Sequence, residues 1–210
     1  MLNRIAAKGT ARRKQRTPER LSRHDWIEAA RDALINGGVH AVKVDLISNR
    51  LKITRGSFYW HFKSRADLLG ALLELWESQN TRPFEEVVQR SDLDAVQKFA
   101  EMVRIWMEEK DFDPAFDSAV RDWARSSPLI AKKIASIDEF RMSLFEKVFQ
   151  EMGYEGKEAM VRARVTYYHQ IGYYALDVHE SKMRRRELLP YYLQILVGDG
   201  GRVQKVLQVL

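Results

Sequence analysis

From Ser22 onward the apolar positions of the chain fall at helical spacing. Trp26, Ala29, Ala30, Ala33 and Leu34 stand at i, i+3, i+4, i+7 and i+8, one stripe behind a Ser N-cap. Gly37-Gly38 is expected to end that helix. A second, short helix is predicted over about Val44–Leu51, with Val44, Ile47 and Leu51 on one face. Lys52-Ile53 leaves room only for a turn, and Thr54 is placed to cap a third short helix by accepting from a backbone N–H one turn on. Ser64 caps a fourth, with Asp67 in its first turn and Leu68, Leu69, Leu72, Leu73 and Trp76 as its stripe. Two short helices joined by a tight turn behind a longer one make a helix-turn-helix unit.

The rest of the chain reads as helices too. Asp94–Lys110 is amphipathic, and Asp113-Pro114 and Ser127-Pro128 each start a helix with proline in its favoured first turn. The second of these carries Ile130, Ile134, Ile137, Leu144, Val148 and Met152 at helical spacing up to Gly153. A further helix is expected from about Gly156 to His179, then a basic turn over Lys182–Arg186, then Pro190–Val197 and a short apolar tail. No strand pattern competes. The fold class is all-α: a small N-terminal three-helix unit of helix-turn-helix form and a larger C-terminal helical bundle. The expected divisions are a basic flexible arm (1–20), the helix-turn-helix domain (21–66) linked by the fourth helix (about 64–80), and a helical body (81–210).

Charge sharpens this division. Residues 1–65 carry 15 Lys/Arg against 5 Asp/Glu, while residues 66–210 carry 20 against 24. A basic head on a mildly acidic body attracts a polyanion. The absence of cysteine removes disulfides, thiolate metal sites and cysteine nucleophiles. No apolar run approaches the roughly 20 residues of a membrane span, and no secretory h-region stands at the N-terminus.

The stretch ITRGSFYWHF (53–62) puts five rings in succession, more than one core can take from one element. A third helix lying in a DNA major groove needs a small, polar first turn, which Thr54-Arg55-Gly56-Ser57 provides. Arg55 has the fork for guanine or phosphate, Gly56 admits close backbone approach, and Thr54 and Ser57 can donate to phosphate. Phe58 and Phe62, four apart, are expected to pack inward. Tyr59, Trp60 and His61 are expected to face outward with one donor each for phosphate oxygens. Lys63, Ser64 and Arg65 follow at a helix N-terminus, itself an anion site. With Lys43 and Lys52 at the ends of the second helix, the candidate DNA-binding residues are Lys43, Lys52, Thr54, Arg55, Gly56, Ser57, Tyr59, Trp60, His61, Lys63 and Arg65.

Residues 22–76, and ITRGSFYWHFKSRADLL above all, resemble the DNA-binding domain of the TetR/AcrR family of bacterial transcriptional regulators. The matching features are a small-residue second helix, the turn, Thr-Arg-Gly, an aromatic cluster ending in His-Phe, then Lys and an Asp-Leu-Leu helix start. Two departures stand out. Val42 occupies a place where the family often has Thr, which removes one phosphate contact. Lys52 stands where the turn often has Gly; a left-handed backbone there costs about 1 kcal/mol. The resemblance implies that the helix-turn-helix unit is a DNA-binding domain and that residues 81–210 form a C-terminal helical bundle for dimerisation and ligand binding, a dimerisation and effector domain. It implies a homodimeric repressor, released from a palindromic operator by a small-molecule effector and located in the cytoplasm, nucleoid-associated when bound to DNA.

For the body, RVTYYHQIGYYALDVH (164–179) is apolar or aromatic on more than one face, and LLPYYLQILV (188–197) could complete a four-helix bundle between two subunits. The candidate interface residues are Tyr168, Gly172, Tyr173, Leu176, Tyr191, Tyr192 and Ile195. An effector pocket would draw on Trp106, Met107, Phe112, Phe116, Trp123, Tyr167 and His169. The five histidines show no paired ligand spacing, and no phosphate loop or serine-nucleophile motif is present, so no enzyme, cofactor or metal is expected. The alternative is a helical protein whose basic head binds anionic surfaces or DNA without sequence preference; a membrane partner is disfavoured because no apolar face accompanies the charges.

Overall fold

The computed structural model describes residues 21–198 and 200–210. The basic arm expected over residues 1–20 lies outside the described residues. Among the described residues ten helices follow in order: α1 Arg23–Ala41, α2 Val44–Leu51, α3 Arg55–Phe58, α4 Arg65–Gln89, α5 Ala95–Glu108, α6 Pro114–Arg125, α7 Pro128–Glu151, α8 Gly156–Ala175, α9 Lys182–Val197 and α10 Gly200–Val209. No strand occurs among the described residues, so the fold is all-α.

Several starts are fixed by side chains. Ser22 and Asp25 form a reciprocal capping box on α1, Ser64 accepts from the Asp67 N–H on α4, and Asp94 and Gln97 box the start of α5. Gly37-Gly38 breaks α1 rather than ending it, and one more helical turn follows. Gly38 sits at φ 67°, ψ −178°, a conformation open to little but glycine. Thr54 occupies the N-cap of α3, but its hydroxyl caps nothing; α3 is a single turn, closed by the Ser57 N–H bond to the Thr54 carbonyl.

The helical spans depart from expectation in three places. α4 runs through Pro83 to Gln89. An interior proline costs roughly 3 kcal/mol, but burial of Phe84 and Val88 one turn on returns about 1.5–3 kcal/mol each. α8 stops at Ala175, where Asp177 turns left-handed at φ 52°. The stretch 182–186 is no turn: Ser181 accepts from the Arg184 N–H and starts α9, which again passes through a proline, Pro190.

Two cores result. One gathers Trp26, Leu34, Ile47, Phe58, Phe62, Leu72 and Trp76 of α1–α4 and the loops between them, but also Phe116, Val120 and Trp123 of α6 and Ile130, Ile134 and Ile137 of α7. The other fills the space among the second half of α4, α5, the second half of α7, and α8–α10. The head therefore shares its core with the body.

Polar groups stitch the same joint. Arg31 of α1 pairs with Asp113, and Asn80 of α4 exchanges two hydrogen bonds with the Asp113 backbone. Deeper in, Trp76 Nε1 donates to Asp117 at 3.0 Å, and Arg141 donates to Thr81 at 3.0 Å and to Asp117 at 3.1 Å. Arg121 binds Asp117 and takes Asp138 in a two-pronged pair, and the Tyr167 hydroxyl donates to Asp138. Burial alone would raise the Asp117 pKa, but the Arg141 and Arg121 guanidiniums outweigh it and hold the carboxyl below its usual range.

Candidate nucleic-acid interface

The turn between α2 and α3 is built by backbone. The Lys52 N–H bonds back to Asn49 and Ser48, the Ile53 N–H to Ser48, and Lys52 itself is left-handed at φ 56°, ψ 43°. The strain expected at this non-glycine position is thus present. The turn hands the chain to Thr54 in extended conformation, and α3 begins.

The five rings divide as their spacing implies. Phe58 and Phe62 are buried and stacked on one another, and Trp26 meets Phe58 edge-on at 5.2 Å. Tyr59 and Trp60 are exposed, Trp60 by 76%, and His61 is half-buried. Of the other candidates Lys43, Lys52, Thr54, Arg55, Gly56, Lys63 and Arg65 are exposed and Ser57 is half-buried. A Cβ added at Gly56 would meet only Thr54 Oγ1, at 3.8 Å, so nothing within the chain requires glycine there.

Two of these residues have partners that sequence reasoning missed. The Arg55 guanidinium lies 3.4 Å from the Asp45 carboxylate of α2 and donates to the Tyr59 hydroxyl at 3.4 Å, two contacts that raise its pKa. Asp45 reads in sequence as an ordinary acidic residue in a helix first turn; only the turn geometry shows it facing α3. Arg65 has its Nε and Nη2 on the Val42 and Val39 carbonyls, both at 2.6 Å, and so ties α4 to the connection between α1 and α2. Val42 itself is fully buried, and Lys43 takes the N-cap of α2 without a side-chain bond.

On the body, Tyr168 and Leu176 at α8, and Tyr191, Tyr192 and Ile195 on α9, are exposed, Tyr191 by 70% and Ile195 by 73%. Val161 and Val165, which the spacing of the aromatics did not single out, extend the face along α8 at i and i+4 before Tyr168 at i+7. Gly172 and Tyr173 are half-buried, and a Cβ on Gly172 would meet no atom within 4 Å.

The pocket candidates do not stay together. Trp106, Met107 and His169 line a cavity of about 60 Å³ among α5, α8 and α9. Phe116 and Trp123 belong to the core shared with the head, and Phe112 and Tyr167 are buried without lining that cavity. Gln170, Arg185 and Leu189 also stand on its wall, residues whose sequence spacing gave no sign of convergence.

A three-helix head with an exposed Arg-Gly turn, docked on a helical body, defines a helix-turn-helix protein of two parts. Residues 27–72 match the family described as bacterial regulatory proteins, tetR family, and constitute a domain of that family. Solved structures share the overall fold. One is a protein of Clostridium perfringens described as a fatty acid metabolism regulator, with a TM-score of 0.64 at 15% identity, covering 83% of this chain and 98% of that one. Another is a transcriptional regulator from Rhodococcus sp. Rha1, with a TM-score of 0.60 at 18% identity, covering 90% and 97%. A third, a transcriptional regulator from Aquifex aeolicus VF5, has a TM-score of 0.51 at 16% identity, covering 89% and 95%. No curated protein sequence matches the chain. No helix among the described residues is long and apolar enough to cross a membrane.

Proposed function

We propose that this chain is a homodimeric, sequence-specific DNA-binding transcriptional regulator, a cytoplasmic repressor released from a palindromic operator by a small-molecule effector. The observation that carries the reading is the exposed Arg55 at the start of α3, with Asp45 and Tyr59 on either side of its guanidinium, inside a tetR-family domain. An acidic group beside an arginine repels phosphate, so the Arg55 fork is directed to a base edge, where guanine O6 and N7 suit it. Lys43, Lys52 and Lys63, the Tyr59 hydroxyl, the Trp60 indole and the His61 imidazole supply phosphate contacts that position the head. Lys43, at the uncapped start of α2, supplies the phosphate interaction that the buried Val42 side chain is unable to make. Arg65 acts by holding the end of α1 and its connection to α2 against α4.

One α3 turn reads few bases, and twofold pairing through the apolar face of α8 and α9 doubles the contacts over a palindrome. The test is fluorescence anisotropy on fragments upstream of the gene, with a salt titration. The wild type is expected to bind one fragment tightly and to weaken steeply with salt. Arg55→Ala with Tyr59→Ala is expected to lose about 100-fold, roughly 3 kcal/mol. Binding that ignores sequence and survives in the variant replaces the regulator by a basic-headed protein that recognises polyanions without specificity.

A further inference from the structure

Two buried polar groups are left without a hydrogen-bond partner on the wall of one cavity. Trp106 Nε1 and Gln170 Nε2 are both unpartnered, and both side chains are more than nine-tenths buried. An unpaired buried donor is costly, and native chains rarely keep two together. The cavity of about 60 Å³ is otherwise mostly apolar, walled by Val103, Met107, Leu189, Leu193 and Leu196. By contrast, the larger cleft of about 910 Å³ between α1, α6 and the loop from α8 to α9 is open to solvent and contains no such pair.

The charge around the cavity argues against an anionic occupant. The Arg185 guanidinium is already engaged by Glu109 at 2.9 Å and by the Trp106 carbonyl at 3.2 Å, and Glu180 stands at the wall. His169 lies against Tyr192, and desolvation, then Arg185, lowers its pKa, which keeps the imidazole neutral. An indole nitrogen can only donate, so the ligand atom beside it must accept. The Thr166 hydroxyl on the wall donates to the Arg162 carbonyl and keeps its acceptor lone pairs for a water, so a ligand oxygen here competes with water.

We propose that this cavity binds small uncharged apolar molecules through a carbonyl-type oxygen, which accepts from Trp106 Nε1 and Gln170 Nε2. The volume admits the oxygen-bearing end, the size of about two waters, and the apolar remainder follows the leucines of α9 outward. α8 and α9 also carry the exposed apolar face, so occupancy bears on the surface where a second copy would pack. That consequence rests on the regulator reading; the binding does not.

The test follows the indole N–H resonances of the five tryptophans in the full chain, with Trp106→Phe to assign the one concerned. The probe is 2-pentanone, and pentan-2-amine, a cation at neutral pH with the same skeleton, is the comparison. The ketone is expected to shift the Trp106 resonance downfield and saturably in the millimolar range, and the amine is expected to leave it in place. Gln170→Leu is expected to weaken the ketone about tenfold while the other four indole resonances stay put. If those resonances move, Trp106→Phe supplies the comparison: ketone binding followed on the remaining signals must weaken there too. No saturable shift with the ketone, or equal shifts with ketone and amine, overturns the site. The readout needs no DNA, so a chain that fails to bind DNA leaves this test intact, and a DNA-binding chain with an unmoved Trp106 signal overturns the site alone.

Discussion

Tyr59 and Trp60 on the head and Tyr168 and Tyr191 on the body are all exposed aromatic side chains, yet their surroundings differ. The head rings stand among Lys52, Arg55 and Lys63, with an arginine bonded to one phenol. The body rings are carried by helices that also expose Val161, Val165 and Ile195. The first setting keeps each ring's polar edge useful, as a phosphate surface requires; the second sets the rings on helices with exposed aliphatic side chains, which suits a protein partner. Each surface also holds a glycine, Gly56 or Gly172, that its own chain gives room for a side chain. Composition by itself does not tell these two surfaces apart, but the neighbours do.

The comparison can be broken most forcefully on the body. Tyr191→Glu with Ile195→Glu is expected to weaken self-association by more than about 100-fold, roughly 3 kcal/mol, in sedimentation velocity, with the head still able to bind nonspecific DNA. A wild type that sediments as a monomer would remove the body surface from the argument. Next, Gly56→Ala is expected to reduce operator affinity about tenfold to 100-fold by anisotropy while leaving association unchanged. Unchanged DNA binding would mean that no backbone approach occurs at that glycine.

A smaller effect is expected at Asp45→Asn. Binding to scrambled DNA should tighten as repulsion falls, and the ratio of preferred to scrambled affinity should drop by about threefold to tenfold. A rise in both affinities with the ratio intact would leave Asp45 as background charge. The smallest change is Lys52→Gly. Relief of the left-handed strain should add about 1 kcal/mol to stability by thermal melting. The salt slope of DNA binding should become shallower by about one counterion per subunit; a slope that does not change would place Lys52 off the phosphates.

Much of the head was legible because its signals are local. Ser22, Ser64 and the i, i+4 pair Phe58 and Phe62 each act within a turn or two, and the helical period shows them. The failures were of two kinds. The expected end of the fourth helix near residue 80 and the expected start at Pro190 both fell short, because burial of Phe84, Val88, Leu193 and Leu196 carries the helices through Pro83 and Pro190. Pairings across long stretches of chain, such as Asp45 with Arg55, Trp76 with Asp117, or Trp106 with Gln170 on one cavity, have no period to betray them. Phe116 and Trp123 read as pocket aromatics for the same reason: nothing in their spacing says which of two cores they enter.

The sharing of one core between α1–α4 and the helices α6 and α7 bears on how the molecule unfolds and how it moves. A fragment ending near residue 80 would lose the apolar cover over Trp76 and the acceptor for its indole, so the head is not an independent folding unit. Head and body should therefore melt in a single cooperative transition, with the amides of α1 and α6 equally protected from exchange. In the dimer proposed above, the same continuity would restrict reorientation of the α2–α3 turn to rotations of a whole subunit against its neighbour, because a hinge within the chain would have to open a packed interior.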